Sequence, residues 1–287
     1  MHVGIALECR LAAPGLGALF FTLTRDRDPM PDSNAFTSTL LDLSCATRQR
    51  LRDEQQALFA ILIEREREFG FNPDIVVEYP EPLSGLLDDP VAYLDARIGA
   101  AESARGRPFA RIAILTTYGD KLGGPLVAAG YREETVDMPA GPDNTRSYAR
   151  ELAEDGAGVF YLEAVNEMDE KIQPGFVLKL DDGEGKLLAG MSGSVTEQDG
   201  ERCAYISTVV ARDDAPAGTG GWVAEEIWRY LRAQGVTRVN LGTQTADRFY
   251  QRQGFRVIHT IVPRLRHRPG SDGKRVWHDL VIMRKDL

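Results

Sequence analysis

The stretch from Tyr205 to Phe255 reads YISTVVARDDAPAGTGGWVAEEIWRYLRAQGVTRVNLGTQTADRFYQRQGF. A strand pattern runs into a loop rich in glycine, and the loop opens an amphipathic helix predicted over Trp222–Ala233. A buried strand over Val236–Leu241 and a short helix over Ala246–Gln253 complete the stretch. This order of elements predicts an α/β fold and decides how the rest of the chain is interpreted.

The glycine loop is the first candidate binding feature. Gly218, Gly220 and Gly221 stand where the loop meets the helix. Glycine lets backbone N–H groups approach an anion, and a helix N-terminus adds partial positive charge. No Gly-Lys-Ser/Thr sequence follows, so the loop is not a Walker A motif, and the glycine spacing of a dinucleotide fingerprint is absent. Many turns contain such glycines, so the loop alone does not identify a phosphate site.

The wider stretch resembles the cofactor-binding core of the GNAT acetyltransferase superfamily. There, a strand that ends in valine leads into a pyrophosphate loop of the form Arg/Gln-x-x-Gly-x-Gly/Ala, and Val210, Gly218 and Gly220 fit these positions. A second strand and a short helix follow, with the pattern Ala-x-x-Phe/Leu-Tyr-x-x-x-Gly-Phe, which residues 246–255 match at every fixed position. The resemblance covers roughly residues 144–287.

The resemblance implies a donor, acetyl-CoA or another acyl-CoA, and a set of roles. Backbone groups of Val209, Val210 and Ala211 would bind the pantetheine arm, and the amides of Ala217, Gly218, Thr219, Gly220 and Gly221 would bind the pyrophosphate. Tyr250 would lie near the thioester sulfur and protonate the leaving thiolate. A phenol suits that role because it is a weak acid that keeps its proton at neutral pH.

The sequence departs from the superfamily pattern at two points. Ala215 stands where the loop usually begins with Arg or Gln, so one side-chain contact to phosphate is missing. The asparagine often found before the short helix has no clear counterpart among residues 243–245. Arg248 and Arg252 are candidates to compensate by reaching the phosphates, although arginines on a helix surface are more often merely solvated.

The group that removes a proton from the incoming amine is left open by the sequence. Glu163, in the strand pattern VFYLEAV on the expected acceptor side, is one candidate. Ser207 and Thr208 lie on the central strand and are candidates to line the site or to hold a water molecule. His259 and His278 are further candidates, since imidazole titrates near neutrality.

The N-terminal half contains a partial echo of the quoted stretch. Residues 111–134, RIAILTTYGDKLGGPLVAAGYREE, place a strand, a short helix and a Gly-Tyr pair much as residues 236–257 do. The loop before the preceding helix, EYPEPLSGLLDD, has no paired glycines and carries acidic residues that would repel a pyrophosphate. The echo predicts a degenerate repeat that keeps the fold without the cofactor site.

These patterns predict two tandem GNAT-like domains, each a mixed central sheet flanked by helices. An accessory or degenerate domain is predicted over residues 1–138 and a catalytic domain over residues 139–287, with a linker at Pro139–Asn144. Helices are predicted over Phe36–Phe69, from apolar residues at helical spacing, and over Ser147–Glu154.

Composition limits the classes of partner and location. The chain has 287 residues and a net charge of −9, which makes nucleic acid an unfavourable partner. Its three cysteines are scattered and form no Cys/His cluster, so no metal site is predicted. No long apolar run or secretion signal is visible, and we expect a cytoplasmic protein that forms no membrane contact. The C-terminal region from Arg248 onward is basic, which suits phosphates or an acidic carrier protein.

The sequence therefore predicts transfer of an acyl group from a pantetheine thioester to an amine of a small molecule or peptide. Transfer from an acyl-carrier protein or an aminoacyl-tRNA is one alternative, and a catalytically silent binding module is another. The acceptor, the acyl chain and a homodimer, which GNAT-like sheets often form, are left undecided by the sequence.

Overall fold

A computed structural model gives the structure of the protein. It describes residues 36–135, 145–152, 156–166, 173–198, 200–270 and 272–287, so the linker predicted at Pro139–Asn144 lies outside the described residues. The elements are, in chain order, β1 (Phe36–Asp42), α1 (Arg48–Glu66), β2 (Gly70–Phe71), β3 (Ile75–Glu78), α2 (Leu83–Asp88), α3 (Pro90–Arg105), β4 (Arg111–Thr116), α4 (Gly119–Ala128), β5 (Arg132–Glu133), β6 (Arg146–Glu151), β7 (Val159–Ala164), β8 (Phe176–Asp182), β9 (Leu187–Gln198), β10 (Glu201–Ala211), α5 (Thr219–Ala233), β11 (Arg238–Thr243), α6 (Asp247–Arg252), β12 (Arg256–Pro269) and β13 (Arg275–Asp286).

The strands form two sheets. One has eight strands in the order β1-β8-β9-β10-β11-β13-β12-β2, and the other has five in the order β3-β7-β4-β6-β5. Each sheet contains both parallel and antiparallel neighbours. The predicted fold class, α/β with mixed sheets flanked by helices, is confirmed.

The five-stranded sheet is an insertion within the eight-stranded one along the chain. Strand β1 comes before it yet pairs with β8, through the register Phe36↔Asp182 to Asp42↔Phe176. Strands β6 and β7 follow the boundary predicted at residues 138/139, yet they belong to the five-stranded sheet. The division between the sheets therefore does not coincide with that boundary, and the organisation as tandem domains stays a prediction.

Two of the predicted helices are wrong in part or in whole. Residues 36–42, FTSTLLD, form strand β1, and α1 begins only after Thr47, whose side chain accepts a hydrogen bond from the Arg50 N–H at 3.2 Å. Residues 146–151 form strand β6 rather than the helix predicted over Ser147–Glu154. In both segments the pairing with a distant strand, β8 or β4, prevails over the local pattern.

Helix α5 covers one face of the eight-stranded sheet. Its buried side chains, Ile227, Trp228 and Leu231 among them, pack against alternate residues of β10 such as Ala204 and Ile206. Each such side chain contributes roughly 1.5–3 kcal/mol when it is fully removed from water. Because α5 is amphipathic over its whole length, this packing fixes where the helix begins relative to the end of β10.

The opposite face is shared by α1 and the five-stranded sheet. Leu51, Leu58 and Ile61 of α1 pack on Val177 and Val210. Beside α1, the five-stranded sheet packs on β12 and β13 through a second cluster, formed by Ile75, Ala113, Val159, Tyr161, Ile261, Val262, Leu265 and Ile282. The two sheets are therefore joined by an apolar interface next to the α1 helix.

Gly158, the residue directly before β7, has no room for a side chain where β7 pairs with β3. A Cβ at this residue would lie 1.8 Å from the carbonyl oxygen of Asp74, which also accepts the Val159 N–H at 3.1 Å. Gly158 has a φ of +78°, and Gly185, at the β8–β9 turn, has a nearly equal φ of +80° with no atom within 4 Å. Substitutions at the two glycines therefore distinguish the cost of a left-handed backbone, present at both, from the cost of steric overlap, present only at Gly158.

We expect Gly158→Ala to lower the free energy of unfolding by about 2–5 kcal/mol, since left-handed strain and a forced backbone shift both contribute. Gly185→Ala should cost only the roughly 1–2 kcal/mol of the left-handed conformation. Urea unfolding followed by circular dichroism measures both. Equal losses in the two variants would show that the contact with Asp74 does not restrain the junction of β3 and β7.

Candidate functional site

Strands β10 and β11 are paired over only part of their length. Their parallel register covers Cys203–Ile206 and Arg238–Leu241, whereas β10 continues to Ala211. The register of β10 with β9 shifts between Ile206 and Thr208, so Ser207 forms a β-bulge. A bulge bends its strand and increases the local twist. Beyond the bulge β10 keeps β9 as its neighbour and presents an open backbone edge on the side of β11.

Particular backbone groups line this open edge. The N–H of Arg212 donates to Leu188 of β9 at 2.8 Å. Because successive residues of an antiparallel strand alternate between the two edges, Val210 also faces β9, and Val209 and Ala211 face the open side. Of the three residues predicted to bind pantetheine, Val209 and Ala211 therefore present backbone groups to the open edge. The backbone groups of Val210 face β9, and its side chain packs against α1.

One group on the open edge is already engaged. The guanidinium of Arg65, on α1, donates to the carbonyl oxygen of Ala211 and forms an ion pair with Asp213 at 3.0 Å. Asp214 is paired with Lys186 and with Arg212. The two acidic residues that follow β10 are thus neutralised by cations, which reduces their repulsion of an anion at the neighbouring loop.

The N-terminus of α5 offers unused N–H groups next to the open edge. Gly218 is the N-cap residue with a φ of +90° and gives no side-chain cap. The Thr219 N–H donates to the Pro216 carbonyl at 3.2 Å, and Trp222 begins the helical pattern by donating to Gly218 at 2.9 Å. The N–H groups of Gly220 and Gly221 find no acceptor among the described residues. Such groups at a helix N-terminus favour an anion.

Internal packing does not explain why residues 220 and 221 are glycine. A Cβ at Gly220 would lie 3.6 Å from the Phe249 ring, and one at Gly221 would lie 3.9 Å from Gln253, both ordinary contact distances. Only Gly218 is required by its backbone, since its φ lies in the left-handed region. The missing side chains leave the amides of the first turn open to a ligand.

Tyr250 is buried on the α5 side of the sheet. It is 3% exposed and makes edge-to-face contacts with Phe249 and Phe255, whose ring centroids lie 5.2 and 5.3 Å away. The helix ends at Gly254, with a φ of +87°, and the N–H of Phe255 returns to the carbonyl of Tyr250 at 3.0 Å. Burial raises the pKa of Tyr250 far above that of a free phenol, so the side chain keeps its proton at neutral pH.

A second set of polar side chains lies on the opposite face, and we call it the tyrosine–glutamate cluster: Tyr79, Tyr161, Glu163 and Tyr205. The β3–β7 register pairs Val77 with Tyr161, which places Tyr79 beside Glu163 at the C-terminal ends of parallel strands. The hydroxyl of Tyr161 donates to Glu163 at 3.1 Å.

Tyr205 connects this cluster to the open edge. Its neighbours Ala204 and Ile206 face α5, so Tyr205 faces the other way. Burial raises the pKa of Tyr205, a hydrogen bond from the Gly242 N–H on β11 opposes the rise, and the charge of Glu163 adds to it. Tyr79 is about half exposed, and partial desolvation together with the charge of Glu163 raises its pKa to about 12. Glu163 thus lies within electrostatic reach of both tyrosines.

The remaining predicted residues are distributed unequally. The Ser207 hydroxyl accepts a hydrogen bond from Gln55 of α1 at 2.9 Å, whereas the buried Thr208 hydroxyl has no partner among the described residues. His259 lies between the two sheets, with Nε2 3.4 Å from the Ser147 hydroxyl, and burial lowers its pKa. His278 instead pairs with Asp247 at 2.9 Å.

Arg248 and Arg252, the predicted phosphate contacts, are exposed on α6 and form no ion pair within the described part of the chain. Three residues near this candidate site were not predicted from the sequence, namely Arg65, Tyr79 and Asp247. Asp247 immediately precedes Arg248 in the matched motif, so its position was visible. Arg65 and Tyr79 reach the site only through the docking of α1 and of the inserted sheet.

The five-stranded sheet repeats part of this arrangement, but a strand fills the position of the opening. Its strands β3, β4, β6 and β5 have the same spatial order as β10, β11, β13 and β12, but β7 lies between β3 and β4 and is parallel to both. Gly130 has a φ of +85° and Tyr131 returns its N–H to Leu126 at 3.0 Å, as Phe255 does to Tyr250. Leu126 thus stands at the position of Tyr250. The degenerate repeat stays a prediction. In this sheet β7 occupies the position of the opening, and a leucine stands where Tyr250 stands in the larger sheet.

No family model and no curated protein matches the chain. Solved structures that match about two fifths of it are acetyltransferases. A GCN5-related N-acetyltransferase from Kribbella flavida is 23% identical, covers 39% of this chain and 67% of its own, and has a TM-score of 0.31. A GNAT-family acetyltransferase from Streptococcus pneumoniae is 21% identical, covers 39% of this chain and 67% of its own, and has a TM-score of 0.30. The ribosomal-protein-S18-alanine N-acetyltransferase from Escherichia coli is 20% identical, covers 38% of this chain and 67% of its own, and has a TM-score of 0.29.

These structures belong to the superfamily that the sequence resembles. The likeness is distant, so it does not indicate the chemistry of the site in this chain. Among the described residues, no helix is long and apolar enough to cross a membrane.

Proposed function

We propose that the protein is a GNAT-type N-acyltransferase that moves an acetyl or other acyl group from acyl-CoA to an amine of a small molecule or peptide. One observation carries the proposal. The bulge at Ser207 opens the edge of β10 next to the unused N–H groups at the start of α5. A pantetheine arm is an amide chain that can pair with a strand edge, and its pyrophosphate suits a helix N-terminus.

The donor would lie along this opening. Val209, with its N–H and carbonyl on the open edge, would pair with the amides of the pantetheine arm, and the N–H of Ala211 would add one more donor. The N–H groups of Gly220 and Gly221 would bind the pyrophosphate. The loop has no Arg or Gln at Ala215, so these backbone groups would bind the phosphates without that side chain.

Tyr250 would act as the general acid. Its raised pKa keeps the phenol protonated, and its burial beside Phe249 removes water that would compete for the thiolate. The amine would arrive from the other face, beside the tyrosine–glutamate cluster. There the carboxylate of Glu163 would attract the positive charge of the acceptor, close to the tyrosine hydroxyls.

A carrier-borne donor is a second candidate, favoured by one surface. Arg264 and Arg275 lie over the ring of Trp277, at 4.5 and 6.0 Å, and Arg268 lies over Phe69 at 6.0 Å. None of these arginines forms a salt bridge with another described residue. Guanidinium groups held on aromatic rings suit an acidic protein surface, such as that of an acyl-carrier protein.

Gly220→Glu should weaken acetyl-CoA binding at least tenfold, which is about 1.4 kcal/mol, because a carboxylate would oppose the pyrophosphate. Gly124→Glu, at an exposed position of α4, adds the same charge away from the site, and this variant should bind acetyl-CoA as the wild type does. Calorimetric titration compares the three proteins. Equal weakening in both variants would contradict a pyrophosphate site at the start of α5, and absence of wild-type binding would leave the carrier-borne donor or a silent module.

Tyr250→Phe should slow thiol release from acetyl-CoA in the presence of an accepted amine by about 100-fold, the usual scale of a lost general acid. The affinity for acetyl-CoA should stay within twofold, since the ring and its aromatic contacts remain. Steady-state kinetics with a thiol reagent gives the rate, and titration gives the affinity. An unchanged rate would contradict the role of Tyr250, and a silent module would show no thiol release in either protein.

A further inference from the structure

A buried histidine–aspartate pair lies outside the machinery described so far. His278, on β13, is 2% exposed, and its Nδ1 lies 2.9 Å from Oδ1 of Asp247. An ionised carboxylate can only accept a hydrogen bond, so Nδ1 carries the proton and donates it. In the neutral ring Nε2 then presents a lone pair. The pair fixes both the tautomer and the orientation of the imidazole.

The Nε2 atom of His278 is buried and has no hydrogen-bond partner among the described residues. Buried polar atoms nearly always have a partner, so this one requires an explanation. The Phe69 ring, whose centroid is 5.5 Å away, supplies no donor. Arg266 lies opposite His278 in the β12–β13 register, but its terminal nitrogens are engaged by Glu66, at 3.2 Å to the carbonyl and 3.5 Å to the carboxylate.

The pair lies at the edge where β10 and β11 part. Strand β11 ends at Thr243, which pairs with Val281, so His278 lies beyond the C-terminal end of β11. Asp247 is the first residue of α6, and Tyr250 follows it in the same short helix. The pair therefore lies next to the element that would hold the leaving thiolate.

His278 also lies on the acceptor face of the sheet. Ile282 of β13 packs on the five-stranded sheet, and strand alternation puts His278 on the same face. The pKa of Tyr79, in the tyrosine–glutamate cluster, is raised mainly by desolvation and then by Glu163, and it is lowered by Arg266, the cross-strand neighbour of His278. The cluster and the pair thus belong to one electrostatic neighbourhood.

We propose that His278 is the general base of the acyl transfer and that Asp247 is its positioning residue. This inference rests on the proposed function. Glu163 accepts the hydroxyl of Tyr161 and would attract the charge of the acceptor, whereas Nε2 of His278 is buried with an unused lone pair. His259 is less suited because its Nε2 lies 3.4 Å from the Ser147 hydroxyl of β6, whereas Nε2 of His278 has no partner among the described residues. The charged groups that face His278 are Asp247 from α6 and Arg266 from β12, and Glu66 from α1 balances the latter.

The proton balance follows from these positions. Nε2 of His278 takes one proton from the ammonium group and leaves a neutral amine, which attacks the thioester carbonyl. The N–C bond forms and the C–S bond breaks, and the thiolate takes the phenol proton of Tyr250. The phenolate recovers the surplus N–H proton of the adduct, and His278 releases its proton to solvent. The products are an amide, a thiol and one proton.

The test compares His278→Gln with the matched variant His259→Gln. Both replace an imidazole on a neighbouring strand by a side chain that still forms hydrogen bonds but has no basic nitrogen. Thiol release from acetyl-CoA is followed across pH with spermidine, glycinamide and glucosamine as amines, with hydroxylamine as a nucleophile that is unprotonated at neutral pH, and with water alone. Titration gives acetyl-CoA affinity, and urea unfolding reports stability.

We expect His278→Gln to lose about 100-fold or more in rate with the protonated amines, to lose the acid limb of the pH profile and to bind acetyl-CoA as before. Hydroxylamine should recover most of the rate. Asp247→Asn should slow the reaction with protonated amines and leave most of the hydroxylamine rate, because the imidazole loses the carboxylate that fixes its tautomer and orientation.

A His278→Gln rate and pH profile equal to those of His259→Gln would overturn this inference and leave the proposed function standing. Equal losses with hydroxylamine and with amines would also overturn it, since they would indicate a structural role. If the wild type releases no thiol with any nucleophile, the proposed function fails and this inference fails with it.

Discussion

The parting of β10 from β11 is the feature on which the rest of the site depends. Two parallel strands that stayed paired to their ends would satisfy each other's backbone groups and leave nothing for a ligand. The bulge at Ser207 prevents this, and the Gln55 side chain of α1 binds the Ser207 and Ser192 hydroxyls at 2.9 and 2.7 Å. Helix α1 thus stabilises the irregularity from one face, while α5 brings its N-terminus to the opening from the other.

The five-stranded sheet shows what happens when the same opening is filled. There β7 takes the place between β3 and β4, and every strand edge in that position is paired. The inserted sheet therefore has no such opening between β3 and β4, yet the C-terminal ends of its strands carry Tyr79 and Glu163 to the face of the larger sheet where the acceptor would bind in the proposed function. A unit without its own site would in this way supply part of the neighbouring one.

Local sequence patterns predict the part of the fold in which neighbours along the chain are also neighbours in space. The order strand, glycine loop, helix, strand and short helix over residues 201–255 is found as predicted, with Gly218 and Gly254 at positive φ. The patterns fail where pairing is distant. Residues 36–42 read as helix but join β8 across the whole inserted sheet.

The same distinction applies to the candidate site. The backbone groups at Val209, Ala211, Gly220 and Gly221 follow from one continuous stretch of sequence. Arg65 and Tyr79, and the pairing of Asp247 with His278, depend on helix docking and on a hairpin that extends past its neighbouring strand. No local pattern specifies such contacts, because they arise from packing between distant segments.

Amide hydrogen exchange measured by NMR, with and without acetyl-CoA, locates the donor on the backbone. We expect acetyl-CoA to slow exchange at Val209 and Ala211 on the open edge of β10 and at Gly220 and Gly221 on α5, and to leave the amides of β3 and β7 unaffected. Slowed exchange confined to the five-stranded sheet, or none at Val209 and Gly220 at saturating acetyl-CoA, would contradict the assignment of the opening between β10 and β11 as the donor site.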